Sequence, residues 1–153
     1  MKEEKQEKIY IKNKKAYFDF QIDDKYVAGI KLLGTEIKSI RQGKANLTDS
    51  FCTFINDNLY VRNLHISEYS HGSFYNHEQK RDRVLLLQKK ELKKLKSRTE
   101  EKGFTIVPLA IFINDRGFAK IEIGLAQGKK TFDKRETMKE RDSKIELNRV
   151  MKR

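Results

Sequence analysis

The chain has 153 residues, 34 of them Lys or Arg against 22 Asp or Glu, a formal net charge of +12 at neutral pH. That length suits one domain of ordinary size, and one proline with eight glycines excludes collagen-like and proline-rich chains. The excess of positive charge points to a polyanionic partner, most often nucleic acid or an anionic surface, and leaves the fold open.

Residues 1–8 are polar, mostly Lys and Glu, lack the apolar run a signal peptide requires, and read as a frayed end. From residue 9 to 126, short apolar blocks are separated by turn signals. Strands over 17–22 and 26–33 flank Asp23-Asp24-Lys25, which reads as a hairpin turn. A short helix over 35–42 carries Ile37 and Ile40 three apart, with Gly34 and Gly43 as punctuation. Strands over 50–55 and 59–66 flank Asn56-Asp57-Asn58, a stronger turn because Asn and Asp tolerate positive φ. A second helix over 89–102 sets Leu92, Leu95 and Thr99 on one stripe and ends at Gly103. Strands over 105–113 and 118–125 flank Asn114-Asp115-Arg116-Gly117. Residues 118–123 alternate polar and apolar as a half-buried strand does. Pro108 cannot donate a ladder hydrogen bond, so its strand needs an edge or a bulge there. Six short strands and two short helices predict a mainly β fold, a small antiparallel barrel of the oligonucleotide-binding (OB) type. Phe18, Phe20, Phe51 and Phe54 are assigned to its interior. Residues 127–153 form a basic tail with few apolar side chains, predicted to be disordered when free. From residue 137 onward the tail lacks Gly and Pro and helix formers dominate, so it is able to fold against a partner.

Enzyme chemistry has little to work with. Cys52 is alone, so no intrachain disulfide forms. The longest apolar run, residues 104–113, falls short of the roughly 20 residues a bilayer demands, and the chain reads as soluble, cytoplasmic and without a membrane partner. His65, His71 and His77 are spaced six apart, which fits neither helix nor strand, so no metal or other cofactor is expected and the histidines are assigned to a surface. Ser70-His71 lacks a strained nucleophile turn, and Gly124 to Gly128 lacks the Lys-Ser of a phosphate loop. Only Glu36 and Asp49 stand apart among the carboxylates, and a metal-dependent nuclease needs more of them converging. The protein is read as a binding module.

Basic and aromatic residues are better ordered. Lys12, Lys14 and Lys15 precede Tyr17, Phe18 and Phe20. Lys38, Arg41 and Lys44 follow the first helix start, and Lys80, Arg81 and Arg83 precede Leu85, Leu86 and Leu87. Phosphates take point charges along a surface, and exposed bases stack on aromatic faces or guanidiniums. Tyr69, Phe74 and Tyr75 lie in a loop rich in Ser, His, Gly and Asn and fit either that purpose or the barrel interior, about evenly. Glu36 has two readings: an acid favoured by the helix dipole, or a carboxylate accepting from a base or sugar hydroxyl. The second predicts that Glu36→Ala weakens RNA binding without unfolding the barrel.

Asn13 to Ala16, Ala28 to Ile30, Gly34 to Arg41, Gly43 to Leu47 and Asp49-Ser50 together resemble the SsrA-binding protein family, small protein B. Arg83 to Leu87, Gly128 to Lys130, Asp133 to Arg135 and Lys139 to Arg141 continue the resemblance in order, so it covers nearly the whole chain. It implies a barrel that holds the tRNA-like domain of transfer-messenger RNA, and a part in trans-translation, the rescue of stalled ribosomes. The RNA complex, with elongation factor Tu and GTP, then enters the vacant A site; the protein is expected to be a monomer and to do no bond chemistry of its own. By the same resemblance Asn13, Glu36, Lys38, Arg41, Lys44, Leu86 and Lys120 match RNA-binding positions. Gly128, Lys129, Lys130, Phe132, Asp133, Lys134 and Arg135 match the segment near the decoding centre, and Val150, Met151 and Lys152 a motif in the message channel. Phe132 departs from the family, where His or Tyr is common. The alternative is a general RNA-binding module of ribosomal or chaperone type.

Overall fold

The computed structural model describes residues 9–70 and 76–129. In chain order the elements are β1 (Tyr10–Lys12), α1 (Lys14–Asp19), β2 (Phe20–Ile30), α2 (Gly34–Arg41), β3 (Ala45–Asn46) and β4 (Phe51–Ile55). They continue as β5 (Asn58–Arg62), β6 (His65–Ile66), β7 (Arg83–Leu86), α3 (Lys89–Thr99), β8 (Phe104–Ile113) and β9 (Ala119–Gly128). Six strands close a ring in the order β8-β4-β5-β7-β2-β9, with β9 returning to β8 and every pairing antiparallel. Strand β1 extends the ring beside β8, and β3 pairs with β6 separately. The fold is mainly β, an antiparallel barrel of the OB type, as the strand count predicts. Closure also gives each of these six strands a neighbour on both sides, which limits the bare edges that invite aggregation.

Its core is aliphatic. Leu59, Val61, Ile121 and Ile123 project inward from alternate strand positions, Ile106 and Ile111 join them from either side of an irregularity in β8, and all six are shut off from solvent. Each such side chain contributes about 1.5–3 kcal/mol relative to exposure. Ile40 of α2 and Leu95 of α3 belong to the same cluster. The four phenylalanines assigned to the interior do not fill it: Phe18, Phe20 and Phe54 are half-buried and Phe51 is exposed. Val, Ile and Leu project less far from the strands and pack a narrow barrel without distortion.

Three local features differ from the sequence reading. Residues 17–19 are helical, because the Asn13 side chain caps α1 by accepting from the Ala16 N–H at 3.3 Å. Asp23-Asp24 is a register shift inside one continuous strand: β2 pairs with β9 from Phe20↔Gly128 to Gly29↔Lys120, and the extra residue is absorbed between Ile22 and Asp24. Strand β9 also runs through Gln127 and Gly128, which the composition assigned to the tail.

Other features follow the sequence. Asn56 and Asp57 have φ of 49° and 67°, the left-handed pair that a tight β4–β5 hairpin requires. Pro108 coincides with a second register shift, between Pro108 and Ala110. In the β8–β9 turn, the Asn114 side-chain oxygen accepts from the N–H groups of Arg116 and Phe118 at 3.1 and 2.9 Å. Among the described residues no helix is long and apolar enough to cross a membrane.

Candidate nucleic-acid interface

Helix α2 presents its basic side to solvent because Ser39 and Ile40 take the opposite side into the barrel. Lys38, Arg41 and Lys44 are all exposed. The Lys38 ammonium lies 5.5 Å from the Tyr69 ring centroid, which holds the charge at the start of the Tyr69 loop. Arg41 donates from Nη2 to the Gly117 carbonyl at 3.3 Å, tying the end of α2 to the β8–β9 turn. Gly43, with φ of 72°, ends the helix and lets the Lys44 N–H reach the Ser39 carbonyl at 3.0 Å.

Lys120 is the next charge along that surface. It lies on β9 opposite Gly29 of β2, which in turn lies opposite Leu86 of β7. Ala28, Ile30, Leu85 and Ile121 point inward, so Gly29, Leu86 and Lys120 point outward in one row. Leu86 is 57% exposed. The row is close-packed: a Cβ on Gly29 would stand 3.3 Å from the Leu86 Cβ. Lys38, Arg41, Lys44, Lys120 and Leu86 therefore form a surface that starts at one end of the barrel and continues onto its side. Exposed lysines and arginines are the side chains that contact phosphates in nucleic-acid complexes, and apolar side chains beside them can lie against a ribose or base.

Two candidates lie inside. Glu36 is fully buried and its oxygens are occupied. One accepts from Arg81 Nη2 at 2.6 Å and from the Leu33 N–H at 2.8 Å, and the other from Arg83 Nε. Arg83 is also fully buried and donates from Nη1 to the Leu64 carbonyl at 2.7 Å and from Nη2 to the Gln79 carbonyl at 3.2 Å. Burial works to raise the Glu36 pKa, but the hydrogen bonds from Arg81, Leu33 and Arg83 outweigh it and hold the carboxyl below its ordinary value. A base or sugar hydroxyl has no access to it. Arg83, read from sequence as a phosphate contact, is withdrawn for the same reason. Its parity could have shown this, since on β7 it falls on the side of the inward Leu85.

Asn13 is likewise buried. Its Nδ2 donates to the Leu47 carbonyl at 3.2 Å and the Pro108 carbonyl at 2.9 Å. It fastens α1 to β8 and to the Leu47 carbonyl.

His77 corrects the surface assignment of the histidines. It is buried, with Nδ1 at 2.9 Å from Thr35 Oγ1 and Nε2 at 2.9 Å from the Ile66 carbonyl. His65 contacts Gln79 at 3.0 Å. Among the described residues no three His, Cys, Asp or Glu side chains converge as metal ligands do, and Asp49 is paired with Lys15 at 2.7 Å. Glu36 and Asp49 are thus each paired with a basic side chain, Glu36 inside the barrel and Asp49 at its surface. Gly128 pairs with Phe20, and Lys129 donates its N–H to the Asp19 carbonyl at 2.9 Å and its ammonium to the Tyr17 carbonyl at 3.0 Å. These two positions are anchored to the barrel. His71, Phe74, Tyr75, Lys130, Phe132, Asp133, Lys134, Arg135, Val150, Met151 and Lys152 lie outside the described residues.

A closed OB-type barrel with a basic helix at one end and a basic, apolar row on its side defines a small oligonucleotide-binding module. The family model described as SmpB protein matches residues 10–153, and the chain belongs to that family. It is 56% identical over 144 residues to the SsrA-binding protein of Christiangramia forsetii, covering 94% of this chain and 92% of the relative. The SsrA-binding protein of Phocaeicola vulgatus is 54% identical, over 95% and 97% of the two chains. That of Halalkalibacterium halodurans is also 54% identical, over 95% and 94%. A chain in a solved structure described as "tmRNA-SmpB: a journey to the center of the bacterial ribosome" superposes with a TM-score of 0.69 at 47% identity, covering 80% of this chain and 86% of that one.

Proposed function

We propose that this protein binds the tRNA-like domain of transfer-messenger RNA and brings it to stalled ribosomes for trans-translation. Family membership over nearly the whole chain supports the reading. The observation that carries it is the surface joined by the Arg41–Gly117 hydrogen bond, which unites Lys38, Arg41 and Lys44 with Lys120 and Leu86. A folded RNA has phosphates on a curved surface, and charges spread over an end and a side of a barrel suit that shape better than a single groove does.

In this reading the exposed residues touch RNA, while Asn13 and Glu36 hold α1 and the Arg81 side chain in place. Residues 130, 132–135 and 150–152 serve the ribosome, with the tail probing the empty message channel. Elongation factor Tu with GTP joins through the RNA, and the protein acts as a monomer. It works as a binding factor and performs no bond chemistry. The test is competition: transfer-messenger RNA should displace a labelled copy of itself at least tenfold better than bulk tRNA does. Equal displacement would support the general RNA-binding module instead.

A further inference from the structure

The row that contains Leu86, Gly29 and Lys120 does not stop at β9. Lys120 lies opposite Phe112 of β8, and Phe112 lies opposite Tyr10 of β1. Ile111 and Ile121 point into the core, so Phe112 and Tyr10 point outward beside Lys120. The row thus crosses five strands as Leu86, Gly29, Lys120, Phe112, Tyr10. Its two ends are open, with Leu86 57% and Tyr10 56% exposed. The Tyr10 and Phe112 rings are offset-stacked, with centroids 6.1 Å apart and planes 25° apart.

The charges around the rings have one dominant sign. Lys120 adjoins Phe112, and Lys12 continues β1 on the same side as Tyr10. The Lys12 and Lys25 ammoniums lie 4.8 and 5.4 Å from the centroid of the Tyr17 ring, on α1. Glu122 is the acid on this face, 3.7 Å from Lys25. Aromatic rings interleaved with lysines on an outer barrel face provide what a single-stranded nucleic acid needs: faces for bases and point charges for the intervening phosphates.

We propose that Tyr10, supported by Phe112, is a stacking platform for an unpaired nucleotide of the bound RNA, extending the interface beyond Lys120 to β1. The inference rests on the RNA-binding reading above and adds residues that reading does not contain. A flat ring pair next to a lysine accepts any base, because every base has a π-face. The selectivity for a particular RNA then comes from which of its nucleotides is unpaired at this distance from the α2 contact.

The test uses full-length protein and two probes, transfer-messenger RNA and a ten-nucleotide oligouridylate. Tyr10→Ala is expected to weaken both dissociation constants about tenfold, equivalent to 1.4 kcal/mol. Tyr10→Phe should keep them within about twofold, and neither change should alter the salt dependence, since no charge is removed. Unchanged affinity of Tyr10→Ala for both probes overturns the proposal, even if ribosome association falls. Should Tyr10→Ala lose the barrel's circular dichroism signal, Tyr10→Leu, which keeps apolar bulk and lacks the ring, is read by the same criteria. Wild-type protein that does not prefer transfer-messenger RNA to tRNA would sink the proposed function. The oligouridylate arm would still decide the platform.

Discussion

Glu36 acts inside the barrel, as the buried partner of two arginines. Its carboxylate neutralises Arg83 in the interior and restrains Arg81, half-buried at the margin. Removing one partner of a buried pair strands the other charge, at a cost of about 3–5 kcal/mol. Glu36→Ala is therefore expected to lower the unfolding free energy by that order in urea titrations, contrary to the sequence expectation that the barrel would be spared. The pH dependence follows from the lowered pKa. A carboxyl whose folded pKa lies below its unfolded value of about 4.3 stabilises fully above that value. The contribution is lost as pH falls through the lower folded pKa. Glu36→Gln should flatten the stability profile between pH 5 and 3, while wild type falls steeply there. Equal slopes would show that the pair is not ionised as described. The partners are 45 and 47 residues away, a distance over which no local pattern speaks, so only the isolated acid was visible in the sequence.

Among the elements, those with a local signature were legible. The β4–β5 and β8–β9 hairpins, α2, α3 and the irregularity at Pro108 follow from turn chemistry and periodicity. Elements β1, β3, β6 and β7 are two to four residues long, too short for alternation alone to single them out, and they exist because a neighbour pairs with them. At Asp23-Asp24 local turn propensity lost to a long continuous partner strand. The exposed lysines were legible as charges, but their grouping into one surface depends on cross-strand register. Gly124 of β9 tests how closely α1's neighbourhood is packed. A Cβ there would meet Leu109 Cδ1 at 2.9 Å and Ile22 Cγ2 at 3.0 Å. Overpacking of this kind costs about 1–3 kcal/mol. Gly124→Ala should lower the thermal midpoint with little change in RNA affinity at 25 °C. Asn13→Ala should cost about 1–2 kcal/mol through the lost cap, measured the same way.

For the molecule as a whole, the charge divides. Residues 127–153 hold ten Lys and Arg against five Asp and Glu, a net +5, and the preceding 126 residues hold the other +7. If the barrel surface binds the RNA, affinity should fall with salt at a slope of roughly −0.7 to −0.9 per phosphate neutralised. Truncation after Asp133 is expected to change that affinity by less than about tenfold while abolishing peptide tagging in a reconstituted rescue reaction. A larger loss would assign the tail to RNA binding.

The closed ring also sets the order in which the barrel can be completed. Strand β2 pairs with β7 on one edge and β9 on the other, and roughly 90 residues separate it from β9. At synthesis rates of about 5–20 residues per second, the edge of β2 that β9 will cover stays bare for several seconds, longer than the edge that β7 covers. Asp23, Asp24 and Lys25, together with the register shift beside them, lie in the middle of that strand. Charges and a bulge are what keep a bare edge from pairing with the wrong partner. The segment that mimics a turn in the sequence is thus also the part of β2 whose charges and register shift make a bare edge least prone to mispairing.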